Sequence, residues 1–256
     1  MEPIAASWSY AARLDRESRI LVADIGGGTA DFCVVLLRPG KRHEVLSTGG
    51  VRIGGDDFDS RIMWNRLVQI FGYGSRFESW GRMLEVPVHI YVALCRWDRI
   101  PFLKESRTWM DLRYILSGST DRPAIGRLMC LIEKDLGFPL YQAIAGAKHE
   151  LSRTESAFIL FEEQDLAVRE NLRLKEFEGM IAGDVEGMAR AAEETLRAAG
   201  VDGTWVDSCF LTGGCSLVPL VARRFGRIVA PERVKTGSDT FTSVATGLAL
   251  YGLRDG

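Results

Sequence analysis

No cysteine pair in this chain has CxxC spacing, and its three histidines, His43, His89 and His149, lie far apart. A structural zinc site needs closely spaced thiolate and imidazole ligands, so no zinc ribbon or finger is expected. The five cysteines, Cys33, Cys95, Cys130, Cys209 and Cys215, are odd in number, and four of them sit in apolar stretches that read as core. Such usage reads as small buried hydrophobes in a reducing, cytoplasmic compartment, not as a disulfide framework. Long hydrophobic runs are also lacking. Stretches such as Phe32 to Leu37 are of strand length, and the first residues hold no basic segment followed by an apolar one. Neither a membrane span nor a signal peptide is expected. Charge of one sign is missing too: Lys plus Arg number 32 against 34 Asp plus Glu, a formal charge of -2. Nucleic acid and acidic membranes therefore find no broad basic field to bind.

What is present is an ordinary globular composition, 46% hydrophobic and 26% charged over 256 residues, enough for one large domain or two small ones. Internal repeats and low-complexity tracts are absent. The β-branched run Arg19 to Asp24 ends in Gly26 to Gly28 and is followed by Phe32 to Leu37, which predicts a β-hairpin. Pro39-Gly40 marks a turn into a third strand, His43 to Ser47. From Asp56 the pattern turns helical, with Phe58, Ile62, Leu67 and Ile70 on one stripe, and it stays mostly helical to about residue 150 with breaks at Pro87, Pro101 and Pro123. Trp64, Trp80, Trp97 and Trp109 fall in this middle, where core packing or an aromatic patch would account for them. Glu155 to Phe161 reads as a strand. Leu174, Phe177, Ile181, Val185, Met188, Ala192 and Leu196 then define a long amphipathic helix ended near Gly200. A strand at Val206 to Leu211, a glycine turn, a helix from about Ser216, a short strand at Arg227 to Val229 and a helix from about Thr242 complete the expectation. The predicted fold class is α/β: a mixed sheet formed by residues 1–55 and 201–256, split by a helix-rich insertion over 56–200.

Two segments carry chemistry. DIGGGTAD, Asp24 to Asp31, sits at the tip of the first hairpin. Gly26, Gly27 and Gly28 would let backbone N–H groups converge on phosphate oxygens, and Thr29 adds a hydroxyl. Asp24 at the strand end could hold a water of a hydrated Mg²⁺, and Asp31 could do likewise or brace the loop. A plain hairpin turn would explain the glycines, but not the Asp before them and the Thr-x-Asp after. The second segment, Phe210 to Val221, is a strand, a Gly213-Gly214 turn and a helix. Alone, it fits an anion or sugar site at a helix N-terminus no better than a simple linker.

Together these motifs resemble the nucleotide-binding core of DnaK-type heat-shock chaperones, within the actin-like ATPases of ribonuclease-H-like fold. The first matches that family's second phosphate loop and the other its adenosine loop. Gly49 to Ile62 (GGVRIGGDDFDSRI), Ala147 to Ser152 (AKHELS) and Ser243 to Leu250 (SVATGLAL) extend the likeness, and the middle of the chain is similar to the YegD-type branch. The resemblance implies a second nucleotide-binding lobe that takes ATP or ADP with Mg²⁺. Lys148, His149 and Ser152 would flank adenine and ribose, although a solvated helix face also accounts for the first two. Gly213, Gly214 and Cys215 would border the ribose and α-phosphate. His149 replaces a family arginine, Cys215 and Leu217 stand where Ser and Arg are usual, and Phe241 replaces an aspartate.

Met1 to Ala6 resembles the helix joining the family's first lobe to its second, with Glu2 a hinge or cleft residue. The first lobe, with its own phosphate loop and a lysine, is the implied partner for hydrolysis, and an uncovered face would favour self-association. Other functions of the superfamily, a sugar kinase, a phosphatase or an actin-like scaffold, are the alternatives.

Overall fold

In a computed structural model the chain is described over residues 17–38, 44–163 and 165–236. It divides into two compact units, 1–57 with 181–256, and 58–180. The expected connecting helix at Met1 to Ala6, the turn at Pro39-Gly40, the start of the third strand at His43, and Phe241 with the helix from Thr242 lie outside the described residues.

The first unit is built on a mixed five-stranded sheet in the order β3-β2-β1-β8-β9. Strands β1 (Ser18–Ile25), β2 (Ala30–Leu37) and β3 (Glu44–Val51) form an antiparallel meander. Strands β8 (Ser208–Thr212) and β9 (Val234–Lys235) add on in parallel, β8 against β1. This mixed α/β sheet is the expected one, consistent with an actin-like ATPase lobe. Both faces of β1 and β2 are buried, as their near-continuous apolar sequence demands. Ile20, Val22, Cys33, Val35 and Leu37 form one core layer with Phe210 against it. On the other face Phe32 stacks on Phe225 at 6.1 Å between centroids.

The third strand runs past its predicted end at Ser47 to Val51, after a bulge that shifts the register between Val34 and Val35. The glycines in its second half are required by packing. A Cβ at Gly49 would come within 2.2 Å of Thr195 Oγ1 on helix α6 (Leu174–Ala198), whose Thr195 carbonyl accepts from Ser47 Oγ at 2.7 Å. Gly200, φ +72°, ends α6 as its position predicts. Helix α6 starts in the second unit and ends in the first.

Helix α7 (Pro219–Val229) follows a 3-10 turn at Gly214–Leu217. It begins at Pro219 because proline suits the first helical turn and holds Val218 extended. The predicted short strand at Arg227 to Val229 is instead the last turn of α7. Val229 buries with Phe225 on one helical face, and the edge strand comes later, at β9. Arg224 ties α7 to α6 through Glu186 at 2.7 Å and Glu193 at 3.1 Å.

The helix α1 (Gly55–Ile62) starts in the first unit, to which it belongs as far as Asp57, and the second unit also has α2 (Val88–Leu94), α3 (Ser106–Gly118), α4 (Arg122–Glu133) and α5 (Gly137–Glu150). Phe58 meets Phe177 edge-on at 6.3 Å, and Tyr73 packs between Trp64 and Tyr91. The middle is mostly helical as expected, with one hairpin that the sequence did not announce. Strands β4 (Arg76–Ser79) and β5 (Arg82–Glu85) form a hairpin there. The strand read at Glu155 to Phe161 is β6 (Ser156–Glu163), and it pairs with β7 (Leu166–Arg173), which no glycine or proline announces. None of the four tryptophans of this region is buried: Trp64 and Trp109 are half-buried, Trp97 is exposed, and Trp80 is 94% exposed at the β4–β5 turn.

Candidate functional site

Strands β1 and β8 run parallel with Asp24 opposite Thr212, so both end at the same edge of the sheet, and both end in a glycine turn. Ligands of open α/β sheets bind outside such carboxyl ends. Asp24 is half-buried there, and Thr212 Oγ1 donates to its Oδ1 at 2.8 Å. Gly213 packs against the end of β1. Its φ is +81°, and a Cβ would come within 2.2 Å of the Ile25 carbonyl oxygen and 3.0 Å of Asp24 Oδ1. Only glycine fits at that position. Cys215, buried, directs its thiol to the Gly26 carbonyl at 3.8 Å, and Gly214 is exposed.

The first glycine loop is closed by Gly26 N–H donating to the Thr29 carbonyl at 2.9 Å. A tight two-residue hairpin wants glycine because its central residues take positive φ. None of Gly26, Gly27 and Gly28 does so, and a Cβ on any of them meets nothing closer than 3.5 Å. The turn therefore does not itself require three glycines. The amide directions are set by what docks on the loop. Gly55 N–H donates to the Gly26 carbonyl at 3.0 Å and Asp56 N–H to the Gly27 carbonyl at 2.7 Å, so both loop carbonyls point at the start of α1. No peptide bond here is cis, and a trans peptide sets N–H opposite to C=O. The Gly27 and Gly28 N–H groups consequently point away from α1, and no described residue accepts from either. Two adjacent N–H groups on side-chain-free residues are thus turned outward, the backbone arrangement from which anion-binding concavities are made.

Thr29 Oγ1 donates to Asp31 Oδ2 at 2.9 Å, so Asp31 braces the loop. Gly54, not singled out from sequence, is needed for the arrangement: a Cβ there would come within 2.3 Å of the Gly27 carbonyl oxygen. Its N–H donates to Asp57 Oδ2 at 2.8 Å, a cap that fixes the start of α1 against the loop. Asp24, Gly26, Gly27, Gly28, Thr29, Asp31, Gly213, Gly214 and Cys215 are thus all in the first unit, on or beside one sheet edge. Among the described residues no three His, Cys, Asp or Glu side chains cluster as direct metal ligands.

Lys148, His149 and Ser152 lie in the second unit, in the last turn of α5 and just beyond it. Lys148 Nζ is 2.8 Å from each carboxylate oxygen of Asp59, with the two side chains only 15% and 8% exposed. His149 is exposed, and its carbonyl accepts from Ser152 Oγ at 2.7 Å. Asp59 and Thr212 are the partners that sequence reasoning missed. The spacing from Asp59 to Lys148 carries no local pattern that would reveal the pair.

Residues 1–77 match the family model described as Hsp70 protein. The match takes in the Gly26 to Gly28 hairpin and the Gly54 to Asp57 segment docked on it. It does not take in β8, its glycine turn or α5. At that coarse level it supports the likeness to Hsp70 and actin-like ATPases, and with it an ATP-binding, chaperone-type role.

Proposed function

We propose that this chain is the ATP- or ADP-binding second lobe of a DnaK-like chaperone of the YegD type. The observation that carries the reading is the pair of outward Gly27 and Gly28 amides, held beside Asp24 at the end where β1 and β8 finish together. In this reading those amides take the β- and γ-phosphates with Thr29, once its hydroxyl turns from Asp31. Asp24 suits a Mg²⁺ that keeps its waters: it is one carboxylate with one oxygen occupied by Thr212, enough to orient a metal-bound water but too little to strip the ion. The metal would supply neutralisation of phosphate charge. Gly213, Gly214 and Cys215 border the ribose and α-phosphate, and Lys148, His149 and Ser152 flank the adenine. Phosphoryl transfer is positioning and charge stabilisation from both sides of the phosphate. A first lobe, in the same longer protein or a separate chain, therefore completes the clamp for hydrolysis.

Isothermal titration with Mg·ATP and Mg·ADP tests this. Changing Gly26, Gly27 and Gly28 together to Ala leaves the loop unclashed. It covers two charge-assisted hydrogen bonds, so affinity falls on the order of 100-fold. Asp24→Asn should weaken the Mg²⁺ dependence of binding and leave the fold intact. Absence of binding by the parent chain, or equal binding by the triple variant, refutes the proposal.

A further inference from the structure

The second unit holds a cleft of about 160 Å³ that the nucleotide reading does not use. Its floor is apolar, with Phe77 on β4, Ile90 on α2 and Ile115 on α3 all buried. Its rim is made of acceptors and an aromatic face: Ser79, His89, Thr108, Asp111 and Tyr114. Thr108, Asp111 and Ile115 share one stripe of α3, at spacings of three and four residues.

The cleft is preformed, because the β4–β5 hairpin is stapled to the end of α3. Phe77 bridges to Ser119, Thr120 N–H donates to the Arg76 carbonyl at 2.8 Å, and Gly118 packs so closely that a Cβ would come within 2.7 Å of the Glu78 carbonyl oxygen. Tyr114 sits edge-on to Phe77 at 6.1 Å and donates its hydroxyl to Ser79 Oγ at 3.2 Å.

Several carboxylates of this unit are engaged: Asp59 with Lys148, Glu170 and Glu176 with Arg66, Asp135 with Lys104, Asp165 with Lys134. Asp111 is the carboxylate on the rim of the cleft. Neither it nor His89 or Thr108 has a side-chain hydrogen bond or ion pair among the described residues, although Arg107 stands one helical turn from Asp111. An ionised carboxylate accepts only, a neutral imidazole and two hydroxyls can accept, and an aromatic face attracts cations. A rim of this kind asks for a ligand with N–H donors and positive charge. The floor asks for an apolar body, and an apolar cavity of about 150 Å³ holds one benzene ring.

We propose that this cleft binds an organic cation of side-chain size, an alkyl- or arylammonium or a guanidinium, with its charge on Asp111 and its apolar part over Phe77, Ile90 and Ile115. The chemistry is shared by a free amine and by a basic side chain on a polypeptide. The full chain is therefore titrated with benzylamine, with N-acetylarginine amide, and with benzyl alcohol as the uncharged match for the first, each followed by NMR. Asp111 is exposed and unpaired, so Asp111→Asn keeps the fold, which circular dichroism checks. At least one cation should bind about tenfold more tightly than benzyl alcohol, and Asp111→Asn should abolish that preference. A preference for benzylamine identifies a free amine, and one for N-acetylarginine amide a peptide side chain. Equal binding of cation and alcohol, binding of none, or a preference that survives Asp111→Asn overturns the proposal. The nucleotide titration is unaffected by any of these results, so the two readings fail separately.

Discussion

Lys148 shows how a side chain's role depends on its partner. From sequence it is a basic residue in the last turn of a helix, where a solvated position is ordinary. In the fold its ammonium lies on the buried Asp59 carboxylate, so the stem is held in one place, as a residue packing on a base would need. Removing one partner of such a pair strands the other charge out of water. Lys148→Met should therefore cost about 3–5 kcal/mol in urea unfolding, and adding Asp59→Asn should return part of the loss. If Lys148→Met costs under about 1 kcal/mol, the pair is solvated, as an exposed ion pair would be.

Secondary elements were legible where periodicity ran long. The seven-residue apolar stripe from Leu174 to Leu196 fixed α6, and the β-branched run before Gly26 fixed β1, because each pattern repeats over several turns or pleats. Short hairpins escaped. At the β4–β5 turn both central residues take positive φ, Trp80 at 51° and Gly81 at 72°, the geometry of a type I′ connection. Tryptophan is a poor signal for it, since left-handed backbone costs a β-carbon residue about 1–2 kcal/mol. Trp80 is also 94% exposed and recovers little by packing. Trp80→Asn should raise stability by about 1 kcal/mol, read from the urea midpoint at constant m-value. A loss of stability would mean that Trp80 makes a contact worth more than its strain.

At the scale of the molecule, buried acids of high pKa tie stability to pH. Burial pushes the Cys33 thiol from 9.0 to about 11 and Cys95 to about 12, and it also raises Cys209, Tyr91 and Tyr141. Above pH 9 the unfolded chain releases these thiol protons while the folded chain keeps them. The unfolded state then binds fewer protons, so stability falls as pH rises, by about 1.4 kcal/mol per pH unit for each such group. Urea unfolding should show this loss between pH 9 and 11, and a flat profile over that window would contradict the burial of these groups. The burial was legible in part, since four of the five cysteines stand in apolar runs. Local chemistry is written in the order of residues: an Asp and three glycines on a hairpin tip, a second glycine turn before a helix, and the amphipathic α6. These follow from nearest neighbours and short periods. The folded chain alone sets β8 beside β1, bonds Thr212 to Asp24 across 188 residues, and brings Lys148 to Asp59 across 89. It alone shows which way the loop's amides point, because peptide orientation is set by what docks on the carbonyls, here the start of α1.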